Sequence, residues 1–285
     1  MRRIVATIAD LHSGHALGLC NPKTIFRDEG PDGEIVEYHP ALKEIQKYLW
    51  AKYMADNQRI EVLADNDEIT LFVDGDLTHG QAHPEHLMRS RLSDQTDIGI
   101  MNLVPWLEMP NLARVRIQIG TDAHNSGEGS TERIIATALQ AMYPKVDIKV
   151  HYHTLMTIDE VKFDVAHHGP GQSKRYWLEG NTARYYLRDL MLKDIVRCGS
   201  PPDVVQRAHY HTYIREWLEV EDWESWLVVV PSYCALGSYG HKVTRSTGYQ
   251  QHGCVAYELI DGRLRHVYKY VNRLDLRTKE RIGDE

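Results

Sequence analysis

The chain has 285 residues, 42% of them apolar and 26% charged, with 20 glycines and 11 prolines, a balance that excludes collagen-like, coiled-coil and wholly disordered chains. Its formal charge of −7 at pH 7 argues against a protein that wraps a long duplex, because non-specific nucleic-acid affinity comes from Lys and Arg neutralising phosphates. The unusual count is histidine, 16 against 4 cysteines and 3 phenylalanines.

Residues 3–9 are a short β-branched run that stops at Asp10-Leu11-His12 and then Gly14, which predicts a buried strand with polar groups at its C-terminal end. A Gly-Pro-Asp-Gly turn between two short apolar runs predicts a hairpin inserted at about 21–39. Pro40, followed by Leu42, Ile45, Leu49 and Tyr53 at helical spacing, predicts an amphipathic helix starting there. Residues 68–73 read as a strand ending in Asp74-Gly75-Asp76, and 84–107 as mostly helical with a weak point at Gly99. A strand at 115–119 ends in Gly120-Thr121-Asp122-Ala123-His124, and a helix at 131–142 can be capped by Ser130 or Thr131. A strand at 161–166 ends in His167-His168-Gly169, 182–198 is helical, and a strand at 203–208 runs into His209-Tyr210-His211. Strands follow at 213–220, 226–233, 254–260 and 263–271, the last two joined by Asp261-Gly262, a hairpin signal.

Alternating strands and helices imply parallel strands with crossover helices, and the strand-rich C-terminal third adds a largely antiparallel set. The expected class is α/β (α+β), a two-sheet mixed β-sandwich flanked by helices, built as one domain over 1–285. Five strands end in clusters of Asp and His, and ligands in such sheets collect outside the carboxyl ends of strands. The four cysteines are far apart and form no Cys-x-x-Cys pair, which fits a reducing compartment and argues against cysteine-ligated zinc. The apolar run after Arg2 and Arg3 reaches only Ala9, too short for a signal-peptide core, and the longest uncharged stretch, 226–240, is broken by Pro231 and Gly237. A cytoplasmic location is expected, with no membrane span and no obligate protein partner.

Taken in order, Asp10-x-His12, Gly75-Asp76, Gly120…His124, His167-His168 and His209-x-His211 resemble the motif series of the calcineurin-like metallophosphoesterase superfamily. That series is Asp-x-His, Gly-Asp-x-x-Asp, Gly-Asn-His-Asp/Glu, an isolated His, then Gly-His-x-His. The resemblance covers residues 8–211 and implies a four-layer fold, two mixed sheets packed face to face between helices. It implies that Asp10, His12, Asp76 and His211 hold a first metal ion, and that Asp76, a residue of the Gly120 loop, His167 and His209 hold a second. Asp76 would bridge the pair. Mixed nitrogen and oxygen ligation suits Mn, Fe, Zn, Co or Ni, with Mn the first expectation, over Mg or Ca. The implied chemistry is metal-assisted phosphoester hydrolysis by a bridging hydroxide, with Asp76 and His124 catalytic and His124 protonating the leaving oxygen.

Two departures from the family pattern matter. Gly120-Thr121-Asp122-Ala123-His124 replaces Gly-Asn-His, so Asp122 is the expected ligand of the second ion; the alternative is that Thr121 faces the metal while Asp122 orients a histidine. His79 stands at the family's second Asp and is expected to support the centre or touch substrate. Of the adjacent His167 and His168, opposite strand faces allow one ligand, and His167 is chosen by likeness; His209 and His211, two apart on a strand, should share a face. Candidate substrate contacts are His15, Lys23, Arg27, Asn125, Lys174, Arg175, Tyr239, His241 and Lys242, with Tyr176, Trp177, Tyr185 and Tyr186 able to stack bases. The expected substrate is a phosphodiester, a nucleotide or a short nucleic-acid end. The alternatives are a phosphomonoesterase, including a protein phosphatase, and a non-catalytic scaffold with a degenerate metal site.

Overall fold

A computed structural model describes residues 1–125, 127, 129–171, 178, 180–237 and 248–280. Two mixed sheets and a two-stranded hairpin carry the strands. In the first sheet β1 (Arg2–Ile8), β4 (Ile69–Asp74), β5 (Leu112–Gln118) and β6 (Asp147–His151) run parallel. The antiparallel pair β12 (Tyr249–Ile260) and β13 (Arg263–Asp275) extends it beyond β1. The second sheet has the order β10 (Ile214–Val220), β11 (Trp223–Val229), β9 (Val204–Arg207), β8 (Val161–Ala166), β7 (His153–Ile158), with β8, β9 and β11 parallel. The expected hairpin is present as β2 (Phe26–Glu29) paired with β3 (Ile35–Tyr38).

Why these runs are strands follows from where their side chains go. Along β1, Ile4, Ala6 and Ile8 enter one apolar cluster while Val5 and Ala9 enter another, because alternate residues face opposite sides of the sheet. Both sides are covered, so the run is continuously apolar. The cluster between the sheets is built from Val5, Phe72, Phe163, Val204, Val228 and Tyr257, all fully buried. The outer side of the first sheet packs against α1 (Glu44–Ala64), α2 (Leu92–Leu107) and α3 (Ser130–Met142) through Leu49, Tyr53, Trp106 and Leu139. The outer side of the second packs against α4 (Asn181–Cys198) through Ala183, Leu187 and Met191. The layers are helices, sheet, sheet, helix, the α+β sandwich expected from the sequence.

Four local differences have identifiable causes. The helix expected from Pro40 begins at Glu44, after Lys43, whose backbone N–H donates to Gln46 Oε1 (3.1 Å) and closes the first turn. The 84–107 helix is divided: Pro84–His86 is one short 3-10 turn, and α2 starts only at Leu92, because Met88 N–H is tied to Gly14 O (2.8 Å). Gly99 does not weaken α2; it lies where a Cβ would press on Ile135 of α3, so it is a close-packing position. Strands β6 and β7 were not expected, since their exposed, charge-interrupted edge lacks a continuous apolar run. Among the described residues, no helix is long and apolar enough to cross a membrane.

Candidate metal centre

The parallel strands deliver their polar ends to one place. Asp10 N–H donates to Gly75 O (3.2 Å) and His12 N–H to Asp76 O (2.9 Å), so the turns after β1 and β4 continue the ladder beyond the strands. Ala208 N–H to His167 O (2.9 Å) does the same after β8 and β9. Asp10, His12, Asp76, His209 and His211 all sit in the left-handed region, with φ of 50°, 45°, 45°, 72° and 51°. They are five of the ten described non-glycine residues with positive φ. Each such conformation costs on the order of 1–3 kcal/mol and persists only where surrounding bonds over-determine it. Ser232 Oγ–H donating to Asp10 O (2.7 Å) is one of those bonds.

Two carboxylates stand at the middle. Asp10 is fully buried; its Oδ2 accepts the His209 N–H (3.2 Å), whereas Oδ1 has no hydrogen-bond partner. That Oδ1 lies 3.6 Å from His211 Nε2, 3.8 Å from His167 Nε2 and 3.9 Å from His12 Nε2. Asp76 accepts the Thr121 N–H on Oδ1 (2.6 Å) and the Thr121 hydroxyl on Oδ2 (3.2 Å), and that Oδ2 is 3.1 Å from His167 Nε2. The donors gather into groups whose ligand atoms lie within 4.8 Å of one another: Asp10–His12–His211, Asp10–Asp76–His167, His167–His168–His209 and His12–His79–His124. Asp10 therefore belongs to two groups, and Asp10 and Asp76 together stand between the histidine sets.

The tautomers of two histidines follow from backbone acceptors. His167 Nδ1 faces the carbonyl of Asp74 (2.8 Å), which only accepts, so Nδ1 carries a proton and Nε2 is turned to the carboxylates. His124 Nδ1 faces the carbonyl of His79 (2.8 Å), leaving its Nε2 free. Glycine makes the approach possible: a Cβ on Gly75 would overlap the His167 ring, and one on Gly120 would overlap the Asp76 carboxylate.

The charges show what the site lacks. Burial, reinforced by His124 and His211, holds His12 well below the ordinary histidine range. Burial pulls His167 down as well, but the carboxylates of Asp76 and Asp10 outweigh it and raise its pKa. The Asp76 carboxyl is lowered in turn: burial opposes ionisation, and the His167 charge overrides it. Among the described residues His167 Nε2 has no properly aligned hydrogen bond, and Asp10 Oδ1 has none. A buried unpaired carboxylate oxygen is costly, and a set of two carboxylates and neutral imidazoles is what borderline divalent ions take. The residues present fit a metal centre.

Most of the expected site residues meet here, with instructive differences. Asp122 is exposed and joins none of the donor groups, whereas Thr121 binds Asp76 and its Oγ1 lies 3.2 Å from His209 Nδ1. Both His167, buried, and His168, exposed, join one group, because β8 ends at Ala166 and strand alternation no longer governs them. His209 and His211 likewise lie past β9, and their left-handed turns send them to different groups rather than one shared face. His79 is buried beside His12, and Asn125 bonds back to Thr121 O (3.2 Å). His15 is buried against the His79 ring, with centroids 4.4 Å apart. Arg27 pairs with Glu37 inside the hairpin, Lys23 is exposed near its start, and Tyr185 and Tyr186 lie on α4. Lys174, Arg175, Tyr176, Trp177, Tyr239, His241 and Lys242 lie outside the described residues.

Sequence reading missed the Asp74 carbonyl, Ser232 and Glu132, which act through backbone groups or burial and carry no motif. It also missed Tyr152 and His153, which with Thr121, Asp122, His167 and His168 border a cavity of about 380 Å³ beside the donors.

No protein-family model matches the chain, and no curated protein matches it. Among solved structures, it is similar to a Thermus thermophilus sulfate thiohydrolase, SoxB, in complex with glycerol (10% identity, 96% of this chain and 56% of that one, TM-score 0.37). It is also similar to a protein of unknown function from Aquifex aeolicus (14% identity, 74% and 80% covered, TM-score 0.33). A third likeness is to a Thermotoga maritima protein solved by solution NMR (12% identity, 61% and 86% covered, TM-score 0.30). The chain spans a little over half the length of SoxB, and at these scores the likenesses do not assign it to a family.

Proposed function

We propose that the protein is a calcineurin-like metallophosphoesterase that hydrolyses a phosphodiester, at a nucleotide or short nucleic-acid end, using two divalent transition-metal ions, manganese first among them. The observation that carries this reading is the pair of buried carboxylates, Asp10 and Asp76, flanked by histidine nitrogens on both sides, with Asp10 Oδ1 making no hydrogen bond among the described residues. Asp10, His12 and His211 would hold one ion, and Asp76, His167 and His209, with Thr121 or His168 beside them, the other. When bound, such ions supply Lewis acidity that withdraws charge from phosphoryl oxygens.

The chain's own residues do the rest. Thr121 fixes both Asp76 oxygens, and Asp74 fixes the His167 ring, so the donors keep their orientation. His124, anchored through Nδ1, presents Nε2, which would take up a proton and then hand it to the departing oxygen. The cavity of about 380 Å³ beside Thr121 and His168 has room for a second substituent on phosphorus, which favours a diester. Among the described residues, the buried free thiols Cys20, Cys234 and Cys254 are in keeping with a reducing cytoplasm.

The test is metal analysis of the purified protein, with rates on activated aryl phosphomonoester and phosphodiester substrates under manganese. Two ions per chain, and diester cleavage abolished by Asp76→Asn, are expected. Absence of metal, or unchanged turnover in Asp76→Asn, would overturn the proposal, and a faster monoester would replace the diester with a monoester substrate.

A further inference from the structure

His79 and His124 stand ring beside ring, with centroids 5.0 Å apart and planes inclined by 32°, outside the donor sets of the two proposed ions. We propose that His12, His79 and His124 form a third cation site, which takes a borderline transition-metal ion such as zinc or copper(II). One ring nitrogen of each lies within 4.8 Å of the others. The three rings stand close together: the His12 and His124 planes are nearly perpendicular at a centroid distance of 4.6 Å, and His79 lies 5.0 Å from His124 and 5.5 Å from His12.

Three features point to an ion rather than to hydrogen bonding. His12 Nδ1 and His79 Nδ1 are 3.4 Å apart, long beside the 2.7–3.2 Å of a good N–H hydrogen bond. Two nitrogens each about 2.0–2.1 Å from a tetrahedral zinc stand about 3.3–3.4 Å apart, which matches that spacing. His79 is more than nine-tenths buried, and the long Nδ1 contact to His12 is the one hydrogen bond its ring makes among the described residues, its Nε2 having no partner there. The third donor is prepared: the His79 carbonyl holds the proton on His124 Nδ1 and leaves the Nε2 lone pair free. His15, the next ring outward, is already engaged through Nδ1 by the Leu17 N–H (3.0 Å) and is not needed.

The donor set is three imidazole nitrogens with no carboxylate, which selects borderline ions and rejects Mg and Ca. His12 is shared, with Nε2 toward His211 and Nδ1 toward His79. For both nitrogens to bind, His12 releases its Nδ1 proton to solvent, so filling the third site liberates one proton. Binding itself does not depend on the phosphoesterase reading. Its consequence does: an ion here occupies His124 Nε2, the atom assigned to the leaving oxygen, so excess zinc inhibits.

Zinc titration followed by calorimetry and metal analysis, on the intact chain and on His79→Gln and Asp76→Asn, tests the proposal. The wild type is expected to bind three equivalents, and His79→Gln to lose one and its associated proton release. Zinc-edge anomalous diffraction on wild-type crystals gives an answer that does not depend on a variant folding, with a peak among the three rings expected. No peak there at saturating zinc, or a third equivalent retained in His79→Gln, overturns the proposal. If Asp76→Asn keeps every equivalent while His79→Gln loses one, the dinuclear reading fails and the third site stands.

Discussion

Glu132, in the first turn of α3, is fully buried behind the Gly120 loop, and neither carboxyl oxygen has a hydrogen-bond partner among the described residues. Burial pushes its pKa up to about 7 from an ordinary 4.5, and the charge on nearby Asp76 pushes the same way. A raised carboxyl pKa means that the folded state holds the proton more tightly than the unfolded chain. Its contribution is complete at pH below the unfolded value and is lost as pH rises through the folded one. Across the whole window that loss is about 3 kcal/mol, and between pH 5 and pH 8 about 2.5 kcal/mol. Glu132→Gln has no proton to lose. Urea unfolding of the chelator-treated protein at both pH values should therefore show the stability of Glu132→Gln relative to wild type rising by about 2.5 kcal/mol from pH 5 to pH 8. Asp74, also raised to about 7 by burial, titrates in both proteins and cancels in the difference. A relative stability that is the same at both pH values would refute the reasoning, whatever its sign.

Gly120→Ala should lose metal and stability together, by roughly 1–3 kcal/mol for overpacking, since its Cβ would meet the Asp76 carboxylate; metal content and thermal unfolding read both. Asp122→Ala should keep the metal content of the wild type, because the exposed carboxylate reaches no donor group; loss of an ion would return Asp122 to the ligand set. His167→Gln should reduce metal retention more than His168→Gln, because only His167 is buried between Asp10 and Asp76, and competition with a chelator measures the difference. Tyr233→Phe removes a donor to the fully buried Asp56 (2.8 Å) and should cost about 1–3 kcal/mol in urea unfolding without changing metal content.

The sequence by itself determined the strands β1, β4, β5, β8 and β9 and the residue types at their ends. A continuously apolar run such as that of β4 has one stable use, a strand covered on both sides, and its polar terminus must then emerge at the sheet's edge. The recurrence of Asp and His at five such ends therefore singled out the residues that the packed sheets bring together. What the sequence could not supply was direction within the turns. A two-residue spacing fixes a face only while the chain remains a strand, and at His167-His168 and His209-x-His211 it no longer does. Which histidine turns inward there depends on contacts remote in sequence: the Asp74 carbonyl that orients His167, and the Asp10 side chain that receives the His209 amide. The same holds for Thr121 against Asp122, where the close approach of Gly120 to Asp76 brings the threonine to the carboxylate and leaves the aspartate in solvent. Local pattern encodes periodicity, whereas the aim of a side chain beyond a strand end is set by bonds between turns that only the packed sheets bring together.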